Sequence, residues 1–486
     1  MRARAAWLLG AALGALALLA GCVLPPKDTV RQSALDAHDL GLGGAAVAPA
    51  GEGWWKAFDD HQLDGLIEHA IAANPSLSQA RSQVRAALAQ VSAVHAGLEP
   101  AASFSGSALR EHAPENYIIP PPLAGGDFWM AQVGASLSWD LDFSGRQADA
   151  LSQAQALARV SELERDDARL LLAAALVQSY VDLYRADALA DIAQQAETQR
   201  AHILDLTRQR VAAGLDTRLE LREAESALPQ ARVERTQAQA QAELAVHALA
   251  MIAGQGAEGY AAITRPQLDL DAVLPLPAQL PINLLARRPD VLAARARVEA
   301  ADAQRRAAKA AFYPDVSLRA LAGVAAFGLN DLVEAGARGY GAGPAVSLPL
   351  FDAGKLRAQY QGREAALDAA VDAYDETVLG AVRQSADELS RIDALVRERT
   401  DQHSTLVAAE DGYRIAEERY RAGLAGYLSV LSAETQVLAA RRQSVQIAAD
   451  LALARVNLLL ALGGSFDPGS PSVAVNFRNQ PMKTSP

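Results

Sequence analysis

Apolar and polar residues alternate along residues 129–141, which read WMAQVGASLSWDL. Trp129 and Leu137 fall on one side of this pattern, whereas Gln132 and Ser136 fall on the other. A period of two predicts a β-strand with one apolar and one polar face. The same alternation, in weaker form, covers three further segments: residues 102–108, 316–324 and 340–350.

The four predicted strands form two pairs. In each pair the strands flank a segment rich in turn-forming residues, 112–127 in the first and 327–339 in the second. We therefore predict two β-hairpins, at residues 101–142 and 315–350. Ordinary surface hairpins with one buried face are the commoner source of such alternation, and the pattern alone leaves that alternative open.

Two very long helices are predicted after the hairpins. Residues 146–213 contain neither glycine nor proline and are dominated by alanine, leucine, arginine, glutamine and glutamate, which favours helix. As one helix they would extend about 100 Å, and residues 355–422 match them in length. Returning helices are predicted at 216–254 and 425–462. Such helices cannot bury themselves in a monomeric globule, so a bundle of partner helices or a filamentous coiled coil is expected.

The chain contains an internal duplication. Residues 74–100 and 288–314 align without a gap, with eleven of 27 positions identical, and residues 210–254 and 419–463 align with 15 of 45 identical. Both copies end their long helix at a glycine, Gly214 or Gly423. Two copies are too few for a solenoid and predict a pseudo-symmetric assembly. Pro229, which the second copy lacks, predicts a local kink in the first returning helix.

Tryptophan spacing favours a membrane position for the strands. Trp129 and Trp139 lie on the same face and would be about 25 Å apart in a tilted strand, close to the height of the lipid-facing band of a transmembrane barrel. With Tyr340 they are candidates for an aromatic girdle. Four strands cannot close a barrel, and hydrocarbon does not tolerate open sheet edges. Several chains are therefore expected to close one barrel together.

Composition excludes several other functions. The formal net charge is −12, and no concentrated basic patch indicates a nucleic-acid partner. The eight histidines are scattered without ligand spacing, and the sequence contains no nucleophile, phosphate-loop or dinucleotide motif. We therefore expect no enzyme activity, no cofactor, no metal site and no nucleic-acid binding.

The first residues predict export. Arg2 and Arg4 precede the apolar stretch 5–20, and the run Leu-Ala-Gly-Cys ends at Cys22, the single cysteine of the chain. This resembles a bacterial lipobox, so residues 1–21 are predicted to be a signal peptide and Cys22 to be lipidated. An ordinary signal peptide with a chance cysteine is the alternative.

The pieces together resemble the TolC-type outer-membrane channels, most closely the OprM-like (NodT-type) outer-membrane lipoproteins of tripartite RND efflux systems. The resemblance covers the whole mature chain and is carried by the lipobox at Cys22 and by four further stretches. These are WWKAFDD with LIEHAIAANPSL (54–77), ARRPDVLAARARVEAADAQRRAAKAAFYPDVSL (286–318), SLPLFDAGKLRA (347–358) and YRAGLAGYLSVLSAET (420–435).

The resemblance implies a fold that is mainly α with a membrane β-barrel. It implies a homotrimer in which four strands per chain give a twelve-stranded barrel, and long antiparallel helices form a twelve-helix periplasmic tunnel with an equatorial belt. The expected segments are a signal peptide (1–21), a lipidated N-terminal segment (22–58), a first repeat (59–254), a linker in the belt (255–287), a second repeat (288–463) and a C-terminal tail (464–486).

The implied function is passive conduction from an inner-membrane RND-type transporter, through a periplasmic adaptor protein, to the outside. The polar strand residues are expected to line water: Ser103, Ser105, Ser107, Gln132, Ser136, Ser138, Asp140, Ser317, Arg319 and Ser347. Small polar side chains suit a permissive pore. A lipid-anchored periplasmic coiled-coil scaffold without a pore is the alternative function.

The helical turns are expected to form the periplasmic tip, which gates the tunnel and meets the adaptor. The resemblance places Arg210, Gly214 and Leu215 in the first copy and Arg419, Gly423, Leu424 and Tyr427 in the second. Some OprM-like members carry an acidic ring near the second tip, where this chain has Ala425. Asp216, in the first tip, is therefore the candidate gating carboxylate.

Overall fold

The structure is a computed structural model that describes residues 34–35, 40, 50–116, 118, 120–121, 123–271, 274, 283 and 287–467. The predicted signal peptide, Cys22, most of the N-terminal segment and of the C-terminal tail, and part of the linker lie outside the described residues. Predictions about those segments therefore stay predictions.

Seven α-helices form most of the described chain. They are α1 (His61–Ala73), α2 (Pro75–Ala96), α3 (Arg146–Ala212), α4 (Arg218–Ile252), α5 (Pro289–Ala310), α6 (Lys355–Arg421) and α7 (Tyr427–Ala461). The two longest, α3 and α6, each have 67 residues, so the expectation of exceptionally long helices is confirmed. Helix α4 continues through Pro229, and the kink predicted there stays a prediction.

One antiparallel sheet of four strands completes the fold. Its strands are β1 (Ala101–His112), β2 (Asp127–Leu141), β3 (Asp315–Phe327) and β4 (Arg338–Ser347). Their order in the sheet follows their order in the chain, with β1 and β4 at the edges. Both predicted hairpins are present, and the β2–β3 pairing joins the two repeats into one sheet.

Local capping explains where several helices begin. The Asp60 carboxylate accepts hydrogen bonds from the main-chain N–H groups of Gln62 and Leu63 at the start of α1, which satisfies donors that a helix leaves free. Thr217 caps α4 in a capping box with Glu220. Asn74 precedes Pro75, the first residue of α2, and its side chain accepts from the N–H of Ser76.

The described chain divides into two compact units. One contains residues 83–161 and 294–374, including all four strands, and the other contains the described parts of 35–82, 162–293 and 375–486. In the first, Val91 of α2 packs against Ala154 and Ala158 of α3.

The second unit contains the largest apolar core. Trp54, Trp55 and Phe58 pack there with residues from α1, α3, α4 and α7. By length and composition α7 could cross a membrane, but half of its most apolar stretch is buried within the chain. Helix α7 is therefore a core helix, apolar because it packs on several sides.

Candidate functional site

The register of the sheet places all ten polar strand residues on one face. Ser103 pairs with Ser136, and Ser107 pairs with Gln132. Side chains of directly paired residues point to the same side, and the Ser103 and Ser136 hydroxyl oxygens lie 2.8 Å apart. The remaining positions follow by alternation along the strands and by the pairs Ser138 with Arg319, Asp140 with Ser317 and Asp315 with Ser347.

The opposite face of the sheet carries the predicted girdle. Trp129, Trp139 and Tyr340 lie on it, and all three side chains are exposed in the single chain. The Trp139 indole N–H donates to the carbonyl oxygen of Leu98 at 2.8 Å. This satisfies its polar atom while the ring stays available to an apolar environment, as is typical of interfacial tryptophan.

Two paired glycines bring β2 and β3 unusually close together. Gly134 lies opposite Gly323, and a Cβ added at Gly323 would lie 2.4 Å from the carbonyl oxygen of Val133. No side chain fits in that space, so residue 323 must be glycine for this approach. Glycine at such points lets a sheet curve strongly.

The helical tips end in matching turns. Gly214 and Gly423 have φ angles of 71° and 76°, a left-handed conformation that costs glycine little. The N–H of Leu215 donates to the carbonyl of Arg210, and that of Leu424 donates to the carbonyl of Arg419. These are Schellman-type endings, as the glycines predicted.

A buried polar network, here called the tip network, consists of Thr207, Arg210, Asp216 and Tyr420. The Arg210 guanidinium donates to both Asp216 carboxylate oxygens, at 2.9 and 3.0 Å, and to the Tyr420 carbonyl at 2.8 Å. The Tyr420 hydroxyl donates to Asp216 at 2.6 Å and lies 2.9 Å from the Thr207 hydroxyl. The network joins α3, the α3–α4 turn and α6.

Electrostatics in the tip network favour the ionised pair. Hydrogen bonds from Arg210 hold the pKa of Asp216 below its ordinary value of 3.8, against the opposing effect of burial. Burial and the hydrogen bond to Asp216 raise the pKa of Tyr420 to about 12, so its hydroxyl keeps its proton. The Arg210 guanidinium also lies over the Tyr420 ring, 4.6 Å from its centroid.

The two tips differ despite the duplication. At the positions equivalent to Asp216 and Tyr420 the other copy has Ala425 and Val211, so the network cannot form twice. Tyr427 is buried beside Tyr420, with ring centroids 6.4 Å apart. Leu215 and Leu424 are exposed. Sequence reasoning missed Thr207 and Tyr420, and the departure from the repeat at Asp216 was the signal for a special role.

A second buried ion pair lies further along α3. Arg200 of α3 donates to the buried Glu434 of α7 at 3.3 Å and to the carbonyl of Ala227 in α4. Burial raises the pKa of Glu434, and Arg200 opposes that shift. Arg200 therefore ties three helices together near Pro229. Among the described residues, no group of three or more His, Cys, Asp or Glu side chains is arranged to hold a metal ion.

Comparison with known proteins decides between the remaining functions. The family model for outer membrane efflux proteins matches residues 66–255 and 280–464. The chain belongs to the outer membrane efflux protein family. This confirms the resemblance from sequence and favours a channel over a scaffold without a pore.

Individual members of the family align over most of the chain. The fusaric acid resistance protein FusA of Burkholderia cepacia is 37% identical over 361 residues, covering 72% of this chain and 68% of FusA. The probable efflux pump outer membrane protein TtgC of Pseudomonas putida is 30% identical over 423 residues, covering 87% of each chain. The structure of the outer membrane protein VceC of Vibrio cholerae superposes with a TM-score of 0.81, at 31% identity, covering 86% of this chain and all of VceC.

This outer membrane efflux protein therefore has its place in the outer membrane and acts as an efflux channel. Its four-stranded sheet has one face that carries the serines and an opposite face that is mostly apolar. Its long helices are those of the TolC-like channel fold, so the predicted fold class is confirmed.

Proposed function

We propose that three copies of this chain form one exit duct of a tripartite pump. The duct is anchored by lipid on Cys22 and receives its cargo from a periplasmic adaptor protein and a proton-driven inner-membrane transporter of the RND type. The names of its relatives refer to fusaric acid resistance and efflux, and the cargo we propose is small organic molecules. The chain itself conducts passively and performs no catalysis.

The edges of the sheet support the oligomer. β1 and β4 each pair with one strand only within the described chain. Unpaired main-chain N–H and C=O groups each cost several kcal/mol in hydrocarbon. If β1 of one copy pairs with β4 of the next, three copies give twelve strands, which is within the range of closed transmembrane barrels.

The polar face of that barrel would line water. Serine hydroxyls dominate it, and they hydrate well without binding any one solute strongly. Its charged members include Arg319, Asp140, Asp315 and Glu111. Opposite signs lie close together, since Arg319 and Asp140 belong to neighbouring residue pairs of β2 and β3. This supports conduction of many solutes and not selection of one.

The tip network would hold the periplasmic end closed. Arg210 links the first helical turn to the end of α6 through buried, charge-assisted hydrogen bonds. Asp216 thus forms its ion pair within its own subunit. We propose that this ion pair, here called the latch, holds the tip closed, and that Asp216 is not part of an acidic ring. The exposed Leu215, Leu424 and Arg419 would face the adaptor.

The buried Arg210–Asp216 pair carries this part of the proposal, and single-channel recording tests it. Purified protein in a planar bilayer should show discrete conductance steps. Asp216→Ala leaves Arg210 buried without its partner, which costs about 3 kcal/mol or more. We expect the open probability of the leak to rise roughly tenfold or more.

Asp205→Ala is the matched control, because Asp205 is an exposed carboxylate of α3 whose partner is the neighbouring Gln209. It should leave the leak unchanged. Unchanged leak in Asp216→Ala would remove the tip network from the gate, whereas protein without any discrete steps would contradict the duct itself.

A further inference from the structure

The polar face of the sheet becomes apolar towards the end that carries the two hairpin loops. Two residues beyond the Ser107–Gln132 pair on each strand, Leu109 pairs with Met130, and Met130 also pairs with Phe327. All three side chains are exposed in the single chain. Phe128, two residues before Met130, stacks edge-on against Phe327 with ring centroids 5.3 Å apart. These four residues, here called the outer apolar row, lie on the face that carries the serines.

On the opposite face, at the same level along the strands, apolar side chains give way to charged ones. Arg110 pairs with Trp129, and His112 pairs with Asp127. The Asp127 carboxylate lies 2.9 Å from the His112 ring and 3.5 Å from the Arg110 guanidinium. Charged groups thus stand on the side that is apolar further along the strands. The side that is polar there carries the outer apolar row, bordered by one carboxylate, Glu111, which pairs with Phe128 on the same face.

This inversion has a physical consequence for where the row can lie. Arg110, Asp127 and His112 need water or lipid headgroups, so this end of the strands lies at the membrane surface and not in the hydrocarbon. At that level, the outer apolar row cannot be facing acyl chains. Exposed aromatic and aliphatic side chains on the inner side of a barrel instead narrow it and repel water.

We propose that Leu109, Phe128, Met130 and Phe327 form an apolar constriction at the outer mouth of the pore, which slows ions and charged solutes relative to apolar ones. The inference rests on the proposed function, since it requires that the serine face line water in an oligomeric barrel. Three copies would supply twelve such side chains around the mouth. A constriction of this kind favours apolar cargo and limits inward leakage of salts.

Thiol labelling from outside the cell tests the constriction. Ser136→Cys places a thiol on the polar face, six residues beyond Met130 and about 20 Å further along the strand. Intact cells are exposed briefly to a membrane-impermeant methanethiosulfonate carrying a quaternary ammonium group, and to a neutral reagent of similar size. In the otherwise unchanged protein the charged reagent should react slowly, and the neutral reagent faster.

Replacing three of the four members of the row by serine, with Leu109→Ser, Met130→Ser and Phe327→Ser together, should accelerate charged labelling of residue 136 by roughly tenfold and leave neutral labelling nearly unchanged. Met130→Leu keeps the row apolar and should keep charged labelling slow. Ala326→Ser is the matched control, because Ala326 neighbours Phe327 but lies on the opposite face. Heat-resistant oligomers on gels establish that each variant assembles.

The outcomes separate the constriction from the duct. Equal charged labelling with and without the row overturns the constriction, provided that Ser136→Cys reacts with aqueous reagent. If Ser136→Cys resists aqueous reagents in every variant while Leu137→Cys on the other face reacts readily, the serine face does not line water. In that case the proposed pore itself is wrong.

Discussion

Asp216 is held by three hydrogen bonds, two from the Arg210 guanidinium and one from the Tyr420 hydroxyl. Its pKa is lowered mainly by the bonds from Arg210. The latch is thus strongest when the carboxylate is ionised. Since the folded pKa lies below the ordinary value of 3.8, the stabilisation is complete above that value and is lost as the pH falls through the lower, folded pKa.

This predicts a specific pH dependence for the leak. Leak conductance should stay constant from neutral pH down to about pH 4 and rise only on stronger acidification. Asp216→Asn should show a raised leak at every pH and no such rise. Glu220 also faces this turn and caps α4, so Glu220→Gln is the control and should retain the acid-induced rise. A leak that increases already between pH 7 and 5 would contradict the latch.

Sequence predicted the backbone of the tips better than their side-chain contacts. Gly214 and Gly423 follow long helices without proline, so their turns were foreseeable from local sequence. Tyr420 lies 204 residues from Asp216, and no local pattern relates them. The network depends on how α3 and α6 pack, which is a property of the fold and not of either segment.

The strands show the same contrast at the scale of elements. Period-two alternation in residues 129–141 predicted β2 correctly, and the register divides its residues between two faces as the alternation indicates. The alternation continues through Met130 and Phe128, but here the face that carries the serines elsewhere carries large apolar side chains. The outer apolar row was missed because a single polar face had been assumed from one end of the strand to the other.

The close approach of β2 and β3 predicts a sensitive position. Gly323→Ala places a Cβ within 2.4 Å of the Val133 carbonyl oxygen, which forces the strands apart. Overpacking of this kind costs about 1–3 kcal/mol, so the yield of heat-resistant oligomer should fall. Gly339→Ala is the matched control, since Gly339 pairs with Gly323 but has open space at its Cβ position. Equal yields from both variants would contradict this account of the glycine pair.

At the scale of the whole molecule, the chain is incomplete alone. Its four-stranded sheet has two edges and two exposed faces of opposite chemistry, and its longest helices have 67 residues each. Duplication and alternation together predicted this architecture from sequence. The number of copies did not follow from these patterns, since closure requires only that enough strands meet.

Disulfide cross-linking between the sheet edges tests the central claim most directly. Paired cysteine variants, with Ser105→Cys in β1 combined in turn with Gly341→Cys, Gly343→Cys or Ala345→Cys in β4, are oxidised in isolated outer membranes. We expect one register to give a reducible adduct of three subunits. Single-cysteine variants should give none. A product that stays one subunit in every register would contradict the shared barrel.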